Sequence, residues 1–303
     1  MSTSAINIRD LRKSYDASFV LGPLSFEIPR GAICALVGPN GAGKTTLLNL
    51  LMGVGRADGG NAVLLGHDVH TADVEVKRRA AFVSPELSYS AWGTVGRAID
   101  FVSAFYPDWN PERCEQLLFN FGLHRHERID ALSFGAPVKL SALLALSREP
   151  ELLLLDEPTA GLDPLARQLL FTELLRFMQN EERTIVISSH QLTELERFAD
   201  HVAILNAGKL VTYGAIPDLL ERYVQVDVLL KSDAVLARSG IRVLAREGSR
   251  ARLLLDRQAV EPGTLGASGI EVIGESAVTL EELFVALIKG RGLMRWQPRM
   301  VAA

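Results

Sequence analysis

Eight consecutive residues near the N-terminus combine glycines, a lysine and a threonine at fixed spacing. The segment Gly38-Pro39-Asn40-Gly41-Ala42-Gly43-Lys44-Thr45 fits the pattern G-x-x-x-x-G-K-[ST], and Thr46 follows it. Glycines let backbone N–H groups converge on phosphate oxygens, and a helix that begins there adds a favourable dipole. We expect Lys44 to neutralise the β- and γ-phosphates of a nucleotide and the Thr45 hydroxyl to coordinate Mg²⁺. The alternative is a glycine-rich turn with one exposed lysine.

Two adjacent carboxylates follow a run of four leucines. Residues 152–155 have the pattern of a buried strand, and Asp156 and Glu157 come directly after it. Ligands bind beyond the carboxyl ends of strands in an open parallel sheet, so Asp156 is predicted to lie beside the phosphate loop. We expect Asp156 to hold Mg²⁺ and Glu157 to activate the attacking water. The alternative is that both acids only cap the turn that Pro158 begins.

A histidine follows a third apolar run. The sequence Ser188-Ser189-His190 comes after residues 184–187, and His190 stands 34 residues after Asp156. One helix and one strand fit between them, so a right-handed crossover puts His190 on a neighbouring strand at the same sheet edge. There it would contact the γ-phosphate and the catalytic water, although a lone histidine by itself carries little information.

Apolar runs and amphipathic stretches alternate along most of the chain. Such alternation predicts an α/β fold, with a mainly parallel sheet covered by helices. Between residues 85 and 150 only helical patterns occur, so we expect a helical insertion there. The predicted strands are 24–28, 33–37, 62–65, 152–155, 184–187 and 202–205, and the predicted helices are 46–52, 95–105, 111–121, 138–147, 164–178 and 192–198.

After Tyr223 the pattern changes to strands at 224–230, 241–245 and 250–255 and an amphipathic helix at 280–289, which predicts a small second domain. In the tail from Lys289 to Arg299, four basic residues surround Trp296 without any acid. Our hypothesis is that this tail rests near anionic lipid or a membrane subunit. The alternative is a frayed terminus with scattered charges.

Composition excludes several classes of protein. The 303 residues are 48% apolar and 22% charged with a net charge of −4, which excludes a wholly disordered chain and offers no basic field for nucleic acid. Two distant cysteines, Cys34 and Cys114, predict neither a disulfide framework nor a zinc cluster, and a reducing cytoplasm is expected. No signal peptide is recognised, and no apolar run approaches the roughly 18 residues needed to span a bilayer, so work at a membrane requires another chain.

The order of these motifs resembles that of the nucleotide-binding subunits of ATP-binding cassette (ABC) transporters, over roughly residues 4–221. The segment Leu132-Ser133-Phe134-Gly135-Ala136 occupies the place of the family signature Leu-Ser-Gly-Gly-Gln, and Ala160-Gly161-Leu162-Asp163 resembles the family's dimer-facing loop. Tyr15 stands where the family places an aromatic residue that stacks on adenine, although a lone tyrosine is also compatible with the core.

The resemblance implies a P-loop NTPase fold of the ABC ATPase type. It consists of a RecA-like, mainly parallel core with an antiparallel β subdomain and a helical subdomain, here at about 86–150. The ATPase domain is expected over residues 1–223 and a C-terminal accessory α+β domain over 224–303. Ser133 and Gly135 are expected to reach the γ-phosphate bound by an opposite subunit.

Two departures from the family pattern bear on function. Phe134 and Ala136 replace a glycine and the glutamine of the signature, so binding across the dimer is expected to survive in weakened form. The segment 82–86 lacks the glutamine that touches Mg²⁺ in relatives. Pro85 falls near that position and cannot ligate, whereas Glu86 is either a substitute ligand or a solvated loop residue.

In function, the chain resembles bacterial export-type (ABC-2-like) subunits. The resemblance implies ATP and Mg²⁺ as cofactors, separate transmembrane permease subunits as partners, and a head-to-tail homodimer or a heterodimer with a sibling subunit at the inner face of the cell membrane. The alternatives are a soluble ABC-type ATPase in DNA or ribosome-related work, or a regulatory ATP switch with weak hydrolysis.

Overall fold

The computed structural model describes residues 4–15, 19–133, 135–190, 192–230, 240–260 and 270–288. Phe134 and the basic tail beyond residue 288 therefore lie outside the described residues. The chain divides into two compact units, Met1–Tyr213 and Gly214–Ala303. The domain ranges 1–223 and 224–303 stay a prediction.

The first unit contains two sheets. Its strands are β1 (Ser4–Tyr15), β2 (Phe19–Pro29), β3 (Ile33–Val37), β4 (Gly59–Leu64), β5 (His67–Asp68), β6 (Ala80–Val83), β7 (Leu152–Leu155), β8 (Thr184–Ser189), β9 (His201–Asn206) and β10 (Lys209–Ala215). Its α-helices are α1 (Lys44–Leu51), α2 (Asp73–Arg79), α3 (Val95–Ser103), α4 (Pro111–Phe121), α5 (Ala136–Leu146), α6 (Pro164–Phe177) and α7 (Leu192–Leu195).

The larger sheet has the strand order β10-β9-β3-β8-β7-β6. Strands β3, β7 and β8 are buried along their whole length, which explains why β3, β7 and the middle of β8 are apolar runs without alternation. The pairs β3/β8, β3/β9, β6/β7 and β7/β8 are parallel. Their carboxyl ends therefore meet at one edge of the sheet, as the sequence predicted.

The smaller sheet has the order β2-β1-β4-β5, and its strand pairs are antiparallel. Apolar side chains of β1, β2 and β4 pack in one core with α1 and with residues from the larger sheet, including Cys34 and Leu36. An antiparallel β subdomain is thus packed against the parallel core, and this arrangement confirms the expected fold class.

A helical segment separates β6 from β7. Asn110 caps α4 by accepting the backbone N–H of Arg113, and Gly122 ends the same helix in the left-handed conformation. Pro137 lies in the first turn of α5, where its missing N–H is not needed. Within the described part of residues 85–150 the structure has helices and no named strand, as predicted.

The second unit begins with α8 (Ile216–Arg222), and continues with β11 (Tyr223–Leu230), β12 (Ile241–Glu247), β13 (Arg250–Asp256), β14 (Ile270–Ala277) and α9 (Leu280–Ile288). Its sheet has the order β12-β13-β11-β14 with antiparallel pairs, and one face forms a small apolar core. Two ion pairs lie within this unit. Arg222 pairs with Asp256 at 2.6 Å, and Arg252 pairs with Asp227 at 2.7 Å.

Candidate functional site

The loop between β3 and α1 has a shape that requires glycine at two positions. A Cβ atom on Gly38 would lie 2.4 Å from the carbonyl oxygen of Leu205, closer than any real contact. Gly43 caps α1 with a φ of +104°, and a Cβ there would lie 2.6 Å from the Leu21 side chain. The loop thus approaches its neighbours by backbone alone, which leaves its outer side open to a ligand.

Gly208 braces this loop. Its N–H donates to the carbonyl of Ala42 at 3.1 Å, and its own carbonyl accepts the N–H of Gly22 at 2.7 Å. Gly208 has a φ of +76°, and a Cβ there would lie 1.9 Å from the carbonyl oxygen of Val20. One glycine in the turn between β9 and β10 therefore ties the loop to β2 of the smaller sheet.

Lys44 opens α1 with its ammonium folded back over the loop. The residue is 6% exposed, and Nζ donates to the carbonyl of Gly38 at 2.9 Å and to that of Pro39 at 3.4 Å. Thr45 and Thr46 follow in the first helical turn and are half-buried, while Asn40 is exposed at the tip of the loop. The lysine charge is thus held at the loop where phosphate oxygens are predicted to bind.

Asp156 lies at the carboxyl end of β7. It is 3% exposed, and its backbone N–H donates to the carbonyl of Val83 at 2.8 Å. Its carboxylate accepts the hydroxyl proton of Ser188 at 2.6 Å. This partner of the Asp156 carboxylate lies on β8 and not in the turn that Pro158 begins.

Glu157 has a φ of +44°, which is uncommon for a residue other than glycine. In this conformation one carboxylate oxygen lies 2.7 Å from Nδ1 of His190, and the other lies 3.4 Å from Nζ of Lys44. Strained backbone of this kind concentrates at functional sites. The structure therefore brings Lys44, Glu157 and His190 into one contact group, with Asp156 beside them.

The loop 160–163 leads from this group into α6. The Asp163 side chain caps α6 by accepting the N–H of Ala166 at 2.9 Å, and this hydrogen bond lowers the pKa of the Asp163 carboxyl. A Cβ on Gly135 would lie 2.9 Å from the carbonyl oxygen of Gly161. The signature segment therefore contacts the loop that follows the acidic pair.

The signature residues lie at the start of α5. Ser133 is exposed, and its carbonyl accepts the N–H of Ala136 at the start of α5. Within the described residues, neither Ser133 nor Gly135 makes a hydrogen bond to residues 38–46. Their predicted contact with a nucleotide held by another subunit stays a prediction.

Tyr15 ends β1 opposite Phe19 and is 44% exposed. The alternative that it is a core residue is wrong, because an exposed ring at a strand end is not packed in the core. Phe19 reaches the phosphate loop: a Cβ on Gly43 would lie 3.1 Å from its ring. Tyr15 therefore pairs with Phe19, the residue whose ring contacts the loop.

Glu86 lies in the turn after β6. Its N–H donates to the Ser84 hydroxyl at 3.2 Å, and its side chain is exposed. Because β6 runs parallel to β7, this turn is at the same sheet edge as Asp156. The position is compatible both with a ligand and with a solvated loop residue.

The residues present suit a nucleotide with a bound Mg²⁺. Among the described residues no three His, Cys, Asp or Glu side chains cluster to hold a metal by themselves. Mg²⁺ in nucleotide sites usually takes only one or two carboxylates and fills its other positions with phosphate oxygens and water. The backbone cradle of residues 38–43, with Lys44, Thr45 and Asp156 around it, is a donor set of this kind.

Sequence reasoning missed the two residues that hold this arrangement together, Ser188 and Gly208. Ser188 is predicted only as a neighbour of His190. Its sequence signal is a hydroxyl at the end of a buried strand, and its pairing with Asp156 requires the register of β7 and β8. Gly208 carries a weaker signal, since Asn206-Ala207-Gly208 is the composition of an ordinary turn.

Comparisons with known proteins give concordant results. Residues 21–160 match the family described as ABC transporter. The chain is 28% identical over 294 residues to the ABC transporter ATP-binding protein YtrB of Bacillus subtilis, covering 96% of this chain and 100% of the relative. It is 32% identical over 235 residues to the Nod factor export ATP-binding protein I of Rhizobium etli, covering 76% and 74%. A solved structure described as the ATP binding subunit of an ABC transporter has a TM-score of 0.65 at 27% identity, covering 72% of this chain and 92% of the other.

Proposed function

The chain belongs to the family of ABC transporter ATP-binding proteins, and from this we propose that it powers export through membrane-spanning subunits that are separate chains. It is an ABC-type ATP hydrolase. The observation that carries the hydrolysis on which this proposal depends is the contact group of Lys44, Glu157 and His190 at the edge where the phosphate loop lies.

Each residue of the group has a distinct role in the proposed hydrolysis. Lys44 neutralises charge on the β- and γ-phosphates, for which its position over the loop carbonyls is suited. Glu157 would accept a proton from the attacking water, and His190, which holds the Glu157 carboxylate, would contact the γ-phosphate. Bound Mg²⁺ would supply charge that offsets that of the phosphate oxygens, and Thr45 and Asp156 would hold it, with Glu86 as a further candidate ligand.

A second subunit completes the proposed site. Ser133 is exposed just before the N-terminus of α5, so it is accessible to a nucleotide bound by a facing subunit. A two-fold axis then makes two such sites from two chains. The facing subunit is either an identical chain or a sibling.

The membrane partner is proposed to contact an aromatic patch on the helical segment. Neighbouring rings of Tyr89, Trp92, Phe101 and Phe105 lie 5.1 to 5.6 Å apart, centroid to centroid. Phe101 and Phe105 are 48% and 63% exposed, and contiguous exposed apolar surface marks interaction sites. No helix in the described part of the chain is long and apolar enough to cross a membrane.

Export is supported by the relatives whose names state it. The Nod factor export ATP-binding protein I of Rhizobium etli is 32% identical to this chain. We propose the same direction of transport here, with the chain acting at the inner face of the cell membrane.

Replacing Glu157 by glutamine tests the proposal. In E157Q, ATP binding is expected to persist, because Lys44 and the loop are untouched. ATP turnover is expected to fall about 100-fold or more, the scale of losing a catalytic base. The measurements are the Kd for ATP and the rate of phosphate release.

Glu182→Gln is the matched control, since Glu182 is exposed in the turn before β8, at the opposite end of that strand from His190. It should keep wild-type turnover. Unchanged turnover in E157Q would overturn the role given to Glu157. A wild-type chain that binds ATP and does not hydrolyse it would instead support the regulatory switch.

A further inference from the structure

Ser188 links the two acids of the site through a single oxygen atom. Its hydroxyl donates to a carboxylate oxygen of Asp156 at 2.6 Å and accepts the backbone N–H of Glu157 at 2.8 Å. A hydroxyl has one donor and two acceptor positions, so both bonds form at the same time without competition. The carboxylate of one acid and the backbone of the next are thus fixed to the same atom.

The register of the larger sheet puts Ser188 at this point. Leu155 of β7 pairs with Ile187 of β8, so the next residue on each strand, Asp156 and Ser188, emerge side by side. Ser188 is fully buried. An apolar side chain at this position would leave a carboxylate oxygen and a backbone N–H without their partner, which buried polar groups in proteins rarely are.

For Asp156 the bond sets the orientation of the carboxylate. A hydrogen bond to an ionised oxygen is short and strong, and 2.6 Å is in the range of such bonds. One oxygen accepts the Ser188 hydroxyl, and this bond fixes the plane in which the second oxygen would meet a cation. Partners of this kind commonly determine how well a metal ligand works.

For Glu157 the bond holds a backbone conformation that is otherwise unfavourable. The residue has a φ of +44°, and the N–H that Ser188 accepts belongs to this residue. The same conformation directs the carboxylate to His190 and Lys44. Without the Ser188 hydroxyl, the carboxylates of the proposed base and of the proposed metal ligand would therefore both lose their fixed orientation.

We infer that Ser188 is a positioning residue, which sets Asp156 and Glu157 jointly through one hydroxyl and so couples cation binding to activation of the water. This inference rests on the proposed function of the site. It assigns Ser188 no contact with substrate.

The test replaces Ser188 by alanine and measures two independent quantities. The kcat for ATP hydrolysis is expected to fall about 10- to 100-fold with little change in KM. The affinity for Mn²⁺, measured by electron paramagnetic resonance with a non-hydrolysable ATP analogue present, is expected to fall about 10-fold. Ser188→Thr retains the hydroxyl and should recover most of both quantities.

Thr184→Val is the matched control. Thr184 is also fully buried on β8, and its hydroxyl also accepts a backbone N–H, that of Gly31, at the opposite end of the strand. Thr184→Val should lower thermal stability as Ser188→Ala does, while kcat and Mn²⁺ affinity stay at wild-type values. If Ser188→Ala does not fold, Ser188→Cys replaces it, because a thiol of similar shape is a weak donor and acceptor.

Wild-type kcat and Mn²⁺ affinity in the alanine or cysteine variant would overturn the inference and leave the proposed function intact. Equal losses in Thr184→Val would also overturn it, since the effect would then be one of stability alone. A wild-type chain without Mg²⁺-dependent ATP hydrolysis would overturn the proposed function itself.

Discussion

Tyr15 lies at the end of β1 with 44% of its surface exposed to solvent. Its ring is therefore accessible for stacking on a nucleotide base. We predict that Tyr15→Ala weakens ATP binding about 5- to 100-fold, because stacking of a base on an aromatic ring contributes roughly 1–3 kcal/mol. Tyr15→Phe should bind ATP as the wild type does. Fluorescence titration with a labelled ATP analogue measures both values of Kd.

Phe119→Ala is the control for this change, since Phe119 is an exposed aromatic residue on α4 and has no predicted contact with nucleotide. Its Kd should be that of the wild type. An equal Kd in Tyr15→Ala and in the wild type would remove Tyr15 from the site, and the base would then need another partner.

Site residues that follow a strand were predictable, because each needs only its own segment of sequence. Lys44, Asp156, Glu157 and His190 were predicted at one sheet edge, and the structure places them there. Ser188 was not assigned a role, because its bond to Asp156 depends on the register between two strands. Register is set by packing of the whole sheet and is not readable from either strand alone.

At the scale of elements, Glu151 joins three segments at the amino end of β7. It pairs with Arg79 at the end of α2, at 2.7 Å, and with Arg30 after β2, at 3.2 Å. Hydrogen bonding to the Arg79 guanidinium, with a further contribution from Arg30, lowers the pKa of the Glu151 carboxyl. The ionised form therefore stabilises the fold.

We predict that Glu151→Gln lowers the free energy of unfolding at pH 7 by roughly 1 kcal/mol. The value is small because both side chains of the Arg79–Glu151 pair are about one-third exposed and solvent screens their charges. The folded-state pKa lies below the unfolded value of about 4.3, so this stabilisation is present above pH 4.3 and disappears as pH falls through the folded-state pKa. Urea unfolding should show a difference between the two proteins at pH 7 that becomes smaller near pH 3.

Glu182→Gln serves again as control and should match the wild type at both values of pH. A difference between Glu151→Gln and the wild type that persists undiminished near pH 3 would mean that Glu151 acts through packing and not through charge.

Elements were predictable where one face or the whole strand is buried. Strands β3 and β7 and helix α4 have the bounds that the sequence predicted. Strand β1 was missed because its alternation fails between Ile8 and Leu11, where the pairing register shifts and Asp10 has a φ of +48°. Strand β14 was missed because it is buried at little more than its first residue, so it has no apolar pattern to find.

At the scale of the whole molecule, the proposed contact between the aromatic patch and a membrane partner can be tested by changing the patch. We predict that Phe101→Asp combined with Phe105→Asp leaves ATP binding unchanged and abolishes co-purification with an integral membrane chain. Phe105 is 63% and Phe101 48% exposed, so the substitutions cost the folded chain less than a change in its core would. Extraction of membranes in mild detergent, followed by mass spectrometry of the integral chain recovered, gives the readout.

Phe119→Asp provides the comparison, because it makes the same chemical change at an 87% exposed ring outside the patch. Recovery of the membrane chain should be normal in that variant. Recovery that is equally normal in the double variant would place the partner on another surface.

The α/β class and the helical segment were predictable at this scale, because both depend on patterns repeated over many residues. The smaller antiparallel sheet entered only through the family resemblance, since β1 was not recognised from its own residues. The division into units at residues 213 and 214 falls inside β10, where the sequence carries no linker composition.

Gly208 has a consequence for the thermodynamics of nucleotide binding. Its two hydrogen bonds, to Ala42 and from Gly22, fix the phosphate loop to both sheets within the folded chain. The conformational entropy of ordering the loop is therefore lost during folding. The free energy of ATP binding does not include this cost. A site prepared in this way can release its product and receive the next ATP without first reordering its backbone.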